Sequence, residues 1–145
     1  MLDEDASRAL TLGETRAFTN GHHAMMGAEY ILYGVLAYIE EESVELWLQT
    51  PHVRVTAEMV MSRIVLITGH SDRVEDDLAR CECYESTLVR AIELAYQDGS
   101  EFVELKHLLL AITREEGSLA LNILKGLRAP EPQVEFVAFM RGELK

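Results

Sequence analysis

Residues 86–99 read STLVRAIELAYQDG and repeat, with substitutions, the stretch RALTLGETRAFTNG at residues 8–21. The two copies lie 78 residues apart, as the pair Gly21 and Gly99 shows. Gly is the residue most favoured just after a helix, so each copy predicts a helix that ends at an Asn-Gly or Asp-Gly pair. Five matched pairs carry the alignment: Leu10 and Leu88, Ala17 and Ala95, Phe18 and Tyr96, Asn20 and Asp98, Gly21 and Gly99.

The duplication continues into the segment that follows each copy. Residues 29–36 (EYILYGVL) align with residues 106–113 (KHLLLAIT), now at an offset of 77 residues. The first copy therefore has one extra residue between Gly21 and Tyr30. A repeated unit of this kind predicts two structural repeats that bury their apolar faces against each other.

Apolar residues recur with a helical period in both halves of the chain, and no stretch alternates as a half-buried strand would. Turn residues separate eight predicted helices, with Ser118 as an N-cap and Pro130 and Pro132 in the first turn of the last helix. The predicted core stripes are Ile31, Leu32, Val35, Leu36 and Ile39; Ala57, Val60, Met61, Ile64 and Thr68; Leu88, Ala91, Ile92 and Ala95; Leu105, Leu108, Leu109 and Ile112; and Ala120, Ile123, Leu124 and Leu127.

These patterns predict an all-α fold in which two pseudo-symmetric four-helix repeats pack into one domain. The domain spans residues 1–145. Repeat 1 covers about 5–68, a polar connector about 69–80, and repeat 2 about 81–142. A chain of 145 residues is the usual size of one domain and buries enough surface to fold without a metal or a disulfide.

The net charge of −12 disfavours binding to nucleic acids or anionic membranes and favours basic protein or peptide partners. Equally, the charge can serve only to keep the protein soluble. The acidic start of the sequence differs from a signal peptide, and no apolar run reaches the ~18 residues of a membrane helix. With two cysteines only, the sequence fits a reducing compartment, so we predict a cytoplasmic protein.

Candidate metal and catalytic residues lack the spacing that such sites need. His22 and His23 are adjacent, and no His or Cys follows at i+3 or i+4. Cys81 and Cys83 lack the two-residue spacer of redox and zinc motifs, and no nucleophile and base occur in a recognisable arrangement. We therefore predict no catalytic residue, no metal and no cofactor. His107 is expected to be a core or capping residue.

The duplicated pattern resembles the Clp N-terminal repeat domain of the ClpA, ClpB and ClpC unfoldases. The second copy carries the family's Ala-x-x-x-Gly at residues 95–99, its His-Leu-Leu-Leu at 107–110, and the segments 114–118 and 120–124. The first copy carries residues 17–22 and 29–32, with Tyr30 where the family prefers His. The resemblance covers about residues 5–142. The phosphate-binding loop of the Clp ATPase modules is missing from the sequence.

The resemblance also implies a candidate partner-binding site. In ClpC-like members, the Glu before the His of each repeat accepts phosphorylated arginine on substrates, and a Thr at the start of each repeat contacts the phosphate. At the position of that Glu, the first copy has Glu29 and the second copy has Lys106. At about the position of that Thr, the first copy has Asp3 and the second copy has Cys81. An arginine ligand should then prefer the first copy, and phosphoarginine should bind weakly or not at all. Alternatively, Glu29 is only a first-turn carboxylate favoured by the helix dipole.

The function that follows is a stand-alone protein-binding module that regulates or serves Clp-type proteolysis as adaptor, decoy or regulator. Its partners would be proteins or peptides. One alternative is the same fold with a changed peptide or protein partner outside proteolysis. Another is a small hydrolase or metal-dependent enzyme on a helical bundle, which would need convergent polar groups that the sequence does not show.

Overall fold

The computed structural model describes residues 2–20, 25–42, 55–68, 79–80, 82–115 and 118–126. Two of the eight helices predicted from the sequence, a short third helix that contains Trp47 and the last helix after Pro130, lie outside these residues. The predicted connector up to residue 78 also lies outside them. Within them the fold is all-α, which confirms the predicted fold class. The elements are α1 (Glu4–Asn20), β1 (Met25–Met26), α2 (Glu29–Glu42), α3 (Ala57–Thr68), β2 (Ala79–Arg80), α4 (Glu82–Gln97), α5 (Leu105–Thr113) and α6 (Leu119–Gly126).

Helix ends fall where the turn residues predicted them. Gly99 has a φ of +76°, a backbone conformation that glycine adopts without strain. The Ser100 N–H donates to the Ala95 carbonyl at 2.9 Å and the Gly99 N–H to the Tyr96 carbonyl at 3.1 Å, which is a Schellman motif. At the start of α6, the Ser118 hydroxyl accepts from the Leu121 N–H at 3.2 Å, so the predicted N-cap is confirmed.

Helices α2 and α5 occupy matching positions in the two repeats and form the centre of the fold. Helix α2 packs against α1, α3, α5 and α6, and α5 packs against α1, α2, α4 and α6. The predicted stripes of α2 and α5 are buried, as is that of α3 from Ala57 to Ile64. Burial of these stripes is the main stabilising contribution that holds the repeats together.

The predicted stripe of α4 is wrong at Ile92. The buried residues of this helix are Tyr84, Thr87, Ala91 and Ala95, whereas Ile92 is 51% exposed. Ile92 lies about 100° around the helix from Ala91, which places it at the edge of the buried face, where it is exposed to solvent.

The crossing of α1 and α2 depends on two glycines. A Cβ on Gly34 would overlap the carbonyl oxygen of Ala9 and lie 2.9 Å from the nitrogen of Gly13. A Cβ on Gly13 would overlap the carbonyl oxygen of Tyr30. The matching positions at the crossing of α4 and α5 are Ala91 and Ala111, both buried. The main chains of α1 and α2 are therefore in direct contact at these positions. At the matching positions, the crossing of α4 and α5 has room for a methyl group.

Within the described residues, two short parallel pairings link the repeats crosswise. In the first, β1 pairs with β2, with Met25 opposite Ala79 and Met26 opposite Arg80. In the second, Leu2 pairs with Val103. At the repeat offsets, Met26 corresponds to Val103 and Arg80 to Leu2, so the two pairings are symmetry equivalents. In each case, the segment before the first helix of one repeat pairs with the segment before the second helix of the other.

Candidate partner-binding site

The sequence-predicted residues Glu29 and Asp3 lie at opposite ends of the α1–α2 hairpin. Position 13 of α1 lies against Tyr30, whereas the hydroxyl of Tyr38 donates to the Asp5 carboxylate at 2.5 Å. The helices are thus antiparallel, and Asp3 is about ten residues, or ~15 Å, along α1 from the level of Glu29. These two side chains cannot hold the same small group.

The strand pairings instead connect the start of one repeat with the segment before the second helix of the other repeat. The Asp3 N–H donates to the Val103 carbonyl at 2.9 Å, which places Asp3 beside the segment that leads into α5 and Lys106. Likewise β2, which leads into α4, pairs with β1, which leads into α2 and Glu29. Cys81 itself lies outside the described residues. The structure therefore brings the start of each repeat to the second helix of the other repeat.

Asp3 serves as the N-cap of α1. Its Oδ1 accepts from the Ala6 N–H at 2.7 Å, and its carbonyl accepts from the Ser7 N–H at 3.0 Å. Asp is among the best N-cap residues because its carboxylate satisfies an unpaired donor of the first helical turn. The carboxylate of Asp3 therefore stabilises the N-terminus of α1.

Glu29 carries a buried carboxylate at the start of α2. The residue is 8% exposed, and its carboxylate lies over Gly27, where a side chain would block it. Burial raises the pKa of Glu29, and a hydrogen bond from its own main chain opposes that rise. Among the described residues, its Oε2 has no hydrogen-bond partner. A buried carboxylate with an unused acceptor is costly to stability and is more common at functional sites than elsewhere.

Lys106, the matching residue of the second repeat, forms an ion pair. Its Nζ lies 3.3 Å from Oδ2 of Asp98, a residue that follows the end of α4. The hydroxyl of Ser100 donates to the same oxygen at 3.1 Å, and Nε2 of His107 lies 3.2 Å from it. Hydrogen bonds from His107, Lys106 and Ser100 hold the pKa of Asp98 below its usual value. The charge of Lys106 is therefore balanced within its own repeat.

His107 is buried, and its role as a capping residue is confirmed. Its Nδ1 accepts from the Glu104 N–H at 2.9 Å, while the Glu104 side chain accepts from the main chain of residue 107, so that a capping box begins α5. The sequence interpretation missed Asp98 as the residue that joins His107, Lys106 and Ser100. The available signal was its position between a helix end and a buried histidine.

The part of the chain that the structure describes contains no group of three or more His, Cys, Asp or Glu side chains that could hold a metal. His22, His23 and Cys81 lie outside that part, as do His52 and His70. Cys83 is half-buried and forms no disulfide with another described residue. Among the described helices, none is long and apolar enough to cross a membrane.

Residues 82–137 match the family model of the Clp repeat (R) N-terminal domain. The resemblance to the Clp N-terminal repeat family is thereby confirmed. The second repeat carries this match, which agrees with its closer fit to the family pattern. No curated protein matches the chain.

Solved structures extend the Clp N-domain fold to the whole chain. The N-terminal domain of the chaperone ClpD from Arabidopsis thaliana superposes with a TM-score of 0.75 at 16% identity, covering 99% of this chain and 97% of that one. A structure described as part of a malarial protein secretion system superposes with a TM-score of 0.69 at 16% identity, covering 98% and 93% of the two chains. At this identity, the likeness establishes the fold alone.

The buried carboxylate of Glu29 leads to a stability prediction. Because burial raises the pKa of Glu29 above its unfolded value, the ionised form costs stability at neutral pH, and this cost is relieved as the pH falls through the raised pKa. We expect Glu29→Gln to raise the free energy of unfolding at pH 7 by about 1 kcal/mol. The gain should shrink towards pH 4.

Urea denaturation at several pH values measures this effect. Glu58→Gln is the control, since Glu58 also lies in a first helical turn but is exposed. A Glu29→Gln protein that is less stable than the parent at pH 7 would show that the carboxylate has a partner that ionisation strengthens.

Proposed function

We propose that this chain is a protein-binding module that serves or regulates Clp-type proteolysis in the cytoplasm, with no catalytic step of its own. The observation that carries the proposal is the Clp repeat N-terminal domain match at residues 82–137, on a chain whose whole fold is that of a Clp N-domain. Such domains are non-catalytic modules that bind substrates or adaptors.

The candidate contact is Glu29, and the ligand class is a peptide with an unmodified arginine. A guanidinium donates several N–H groups in one plane and forms strong paired hydrogen bonds with a carboxylate. Glu29 supplies a carboxylate with one oxygen unpaired among the described residues. That oxygen is shielded from solvent, so binding requires the side chain to turn outward from Gly27.

The second repeat offers a weaker site for the same ligand. Lys106 places a positive charge at the position that matches Glu29, and Asp98 already holds that ammonium group. Asp3, on the side of Lys106, presents a carboxylate that would repel a phosphate group. Recognition of unmodified arginine at Glu29 is therefore favoured over recognition of either ligand at the second repeat.

Calorimetric titration of arginine and phosphoarginine peptides tests the contact. We expect one site per chain for the arginine peptide, about tenfold weaker binding with Glu29→Ala, and no change with Glu58→Gln. Tight phosphoarginine binding that is insensitive to Glu29→Ala would contradict this assignment.

A separate experiment tests the link to proteolysis. Purified chain added to a reconstituted Clp protease should change the rate at which an adaptor-dependent substrate is degraded. Affinity capture from a lysate should recover Clp components or their adaptors, identified by mass spectrometry. If neither occurs while the protein still binds another partner, the alternative of a changed partner outside proteolysis replaces the proposal.

A further inference from the structure

Three large apolar side chains form an exposed stripe on α4. Val89 is 54% exposed, Ile92 51% and Tyr96 85%. Their spacing of i, i+3 and i+7 places them on one face of the helix. The apolar stripe, as we call these three residues, faces away from the core residues Ala91 and Ala95. It spans two helical turns, or ~10 Å.

The first repeat provides an internal comparison for this stripe. At the offset of 78 residues, Val89 corresponds to Thr11 and Ile92 to Glu14 on α1. The same architecture is therefore built in the first repeat with polar side chains at two of the three positions. Packing of the fold does not require apolar residues there, so their presence on α4 calls for another explanation. Clusters of exposed apolar residues are a usual mark of binding surfaces.

Carboxylates accompany the stripe on the same face. Glu82 and Glu85 precede it by a turn or two, and Glu93 lies beside Val89 and Ile92. A surface cavity of about 350 Å³ is lined by Glu82, Glu85, Ser86, Val89, Arg90 and Glu93. Among the described residues of this lining, Arg90 is the one basic residue, and it lies 3.5 Å from the Glu115 carboxylate. The face therefore combines an apolar centre with a negative rim.

This combination selects the kind of partner. A second copy of the chain would bring the same carboxylates together, and each chain carries a net charge of −12, so self-association through this face is opposed by like charge. A helix with apolar residues at i, i+3 and i+7 can pack along the stripe, and flanking Lys or Arg residues would meet Glu82 and Glu93.

We propose that the apolar stripe of α4 docks a basic amphipathic helix of a partner protein. The inference deepens the proposed function, because it assigns a second contact surface to a protein-binding module. It does not depend on Glu29, which lies at the start of α2.

The probe is a synthetic amphipathic peptide of about 18 Leu and Lys residues, long enough for five helical turns. Fluorescence anisotropy measures its binding to the full chain. We expect binding to weaken at least about tenfold with the double substitution Val89→Thr and Ile92→Glu, which copies the residues of α1. We expect little change with Leu66→Thr, since Leu66 is an exposed apolar residue on a different helix, α3.

The double substitution separates docking from general charge attraction, because it makes the chain more negative. Attraction by charge alone would become stronger, whereas docking on the apolar stripe becomes weaker. A scrambled peptide of the same composition should bind weakly to the parent, and Glu93→Lys should weaken binding mainly at low salt.

Equal or tighter binding to the doubly substituted chain would overturn the proposal. So would equal binding of the scrambled peptide, or a dimer of the parent that the double substitution abolishes. Circular dichroism of each variant controls for folding. Because the arginine-peptide titration reports on Glu29, failure of this proposal is distinguishable from failure of the proposed function.

Discussion

Gly34→Ala is expected to lower the free energy of unfolding by about 3 kcal/mol, one of the largest effects of any single methyl group in this protein. The new Cβ would overlap the carbonyl oxygen of Ala9 and crowd the nitrogen of Gly13. Both atoms belong to the main chain of α1, so no side-chain rotation relieves the overlap. The helices must move apart, and the buried stripe of α2 then loses contacts. Urea denaturation followed by circular dichroism measures the loss.

The matched control lies at the other helix crossing. Ala111 occupies the position in α5 that Gly34 occupies in α2, and it is fully buried. Ala111→Gly should cost only about 1 kcal/mol, mainly through helix propensity. Gly34→Ala should therefore lower the free energy of unfolding more than Ala111→Gly does. If Gly34→Ala denatured at the same urea concentration as the parent, the close approach of α1 and α2 would be wrong.

His107→Leu is expected to cost about 2–3 kcal/mol, although leucine fills a similar volume in the core. The substitution leaves the Glu104 N–H without its acceptor and removes a hydrogen bond to Asp98. The hydrogen bond from the Glu104 N–H is part-buried, so loss of its acceptor carries a large share of the desolvation penalty of that group. The start of α5, one of the two central helices, would be the first part to open. Hydrogen exchange at the first turn of α5 and urea denaturation both report the effect.

His107→Asn distinguishes capping from packing. The Asn side-chain oxygen can accept from the Glu104 N–H, so this variant should recover part of the stability that leucine loses. An asparagine variant less stable than the leucine variant would indicate that volume, not the hydrogen bond, makes His107 important.

Local rules predicted the helix ends and the central stripes. The end of α4 at Asp98-Gly99 follows from the left-handed conformation that glycine adopts at +76°, and the stripes of α2 and α5 follow from apolar periodicity. Both depend on residues within one or two turns of each other. The duplication of residues 8–21 at 86–99 then indicated how the halves correspond.

Features that depend on distant residues were not predictable in this way. Whether Ile92 is buried depends on which neighbours cover α4, and periodicity alone gave the wrong answer. The strand pairings are too short to produce alternation, so the crosswise link of Leu2 to Val103 had no local signal. For the same reason, the placement of Asp3 beside the segment that leads into Lys106 could not be read from the sequence.

The crosswise pairings have a consequence for protein synthesis. The partner of Leu2 is Val103, about 100 residues further along the chain, and the partners of Met25 and Met26 are about 54 residues downstream of them. At the usual pace of about 5–20 residues per second, a ribosome needs roughly 5–20 s to add the residues that separate Leu2 from its partner. During that interval, the start of the first repeat has already been synthesised but has nothing to pair with. Final closure of the first repeat therefore waits for translation of the second.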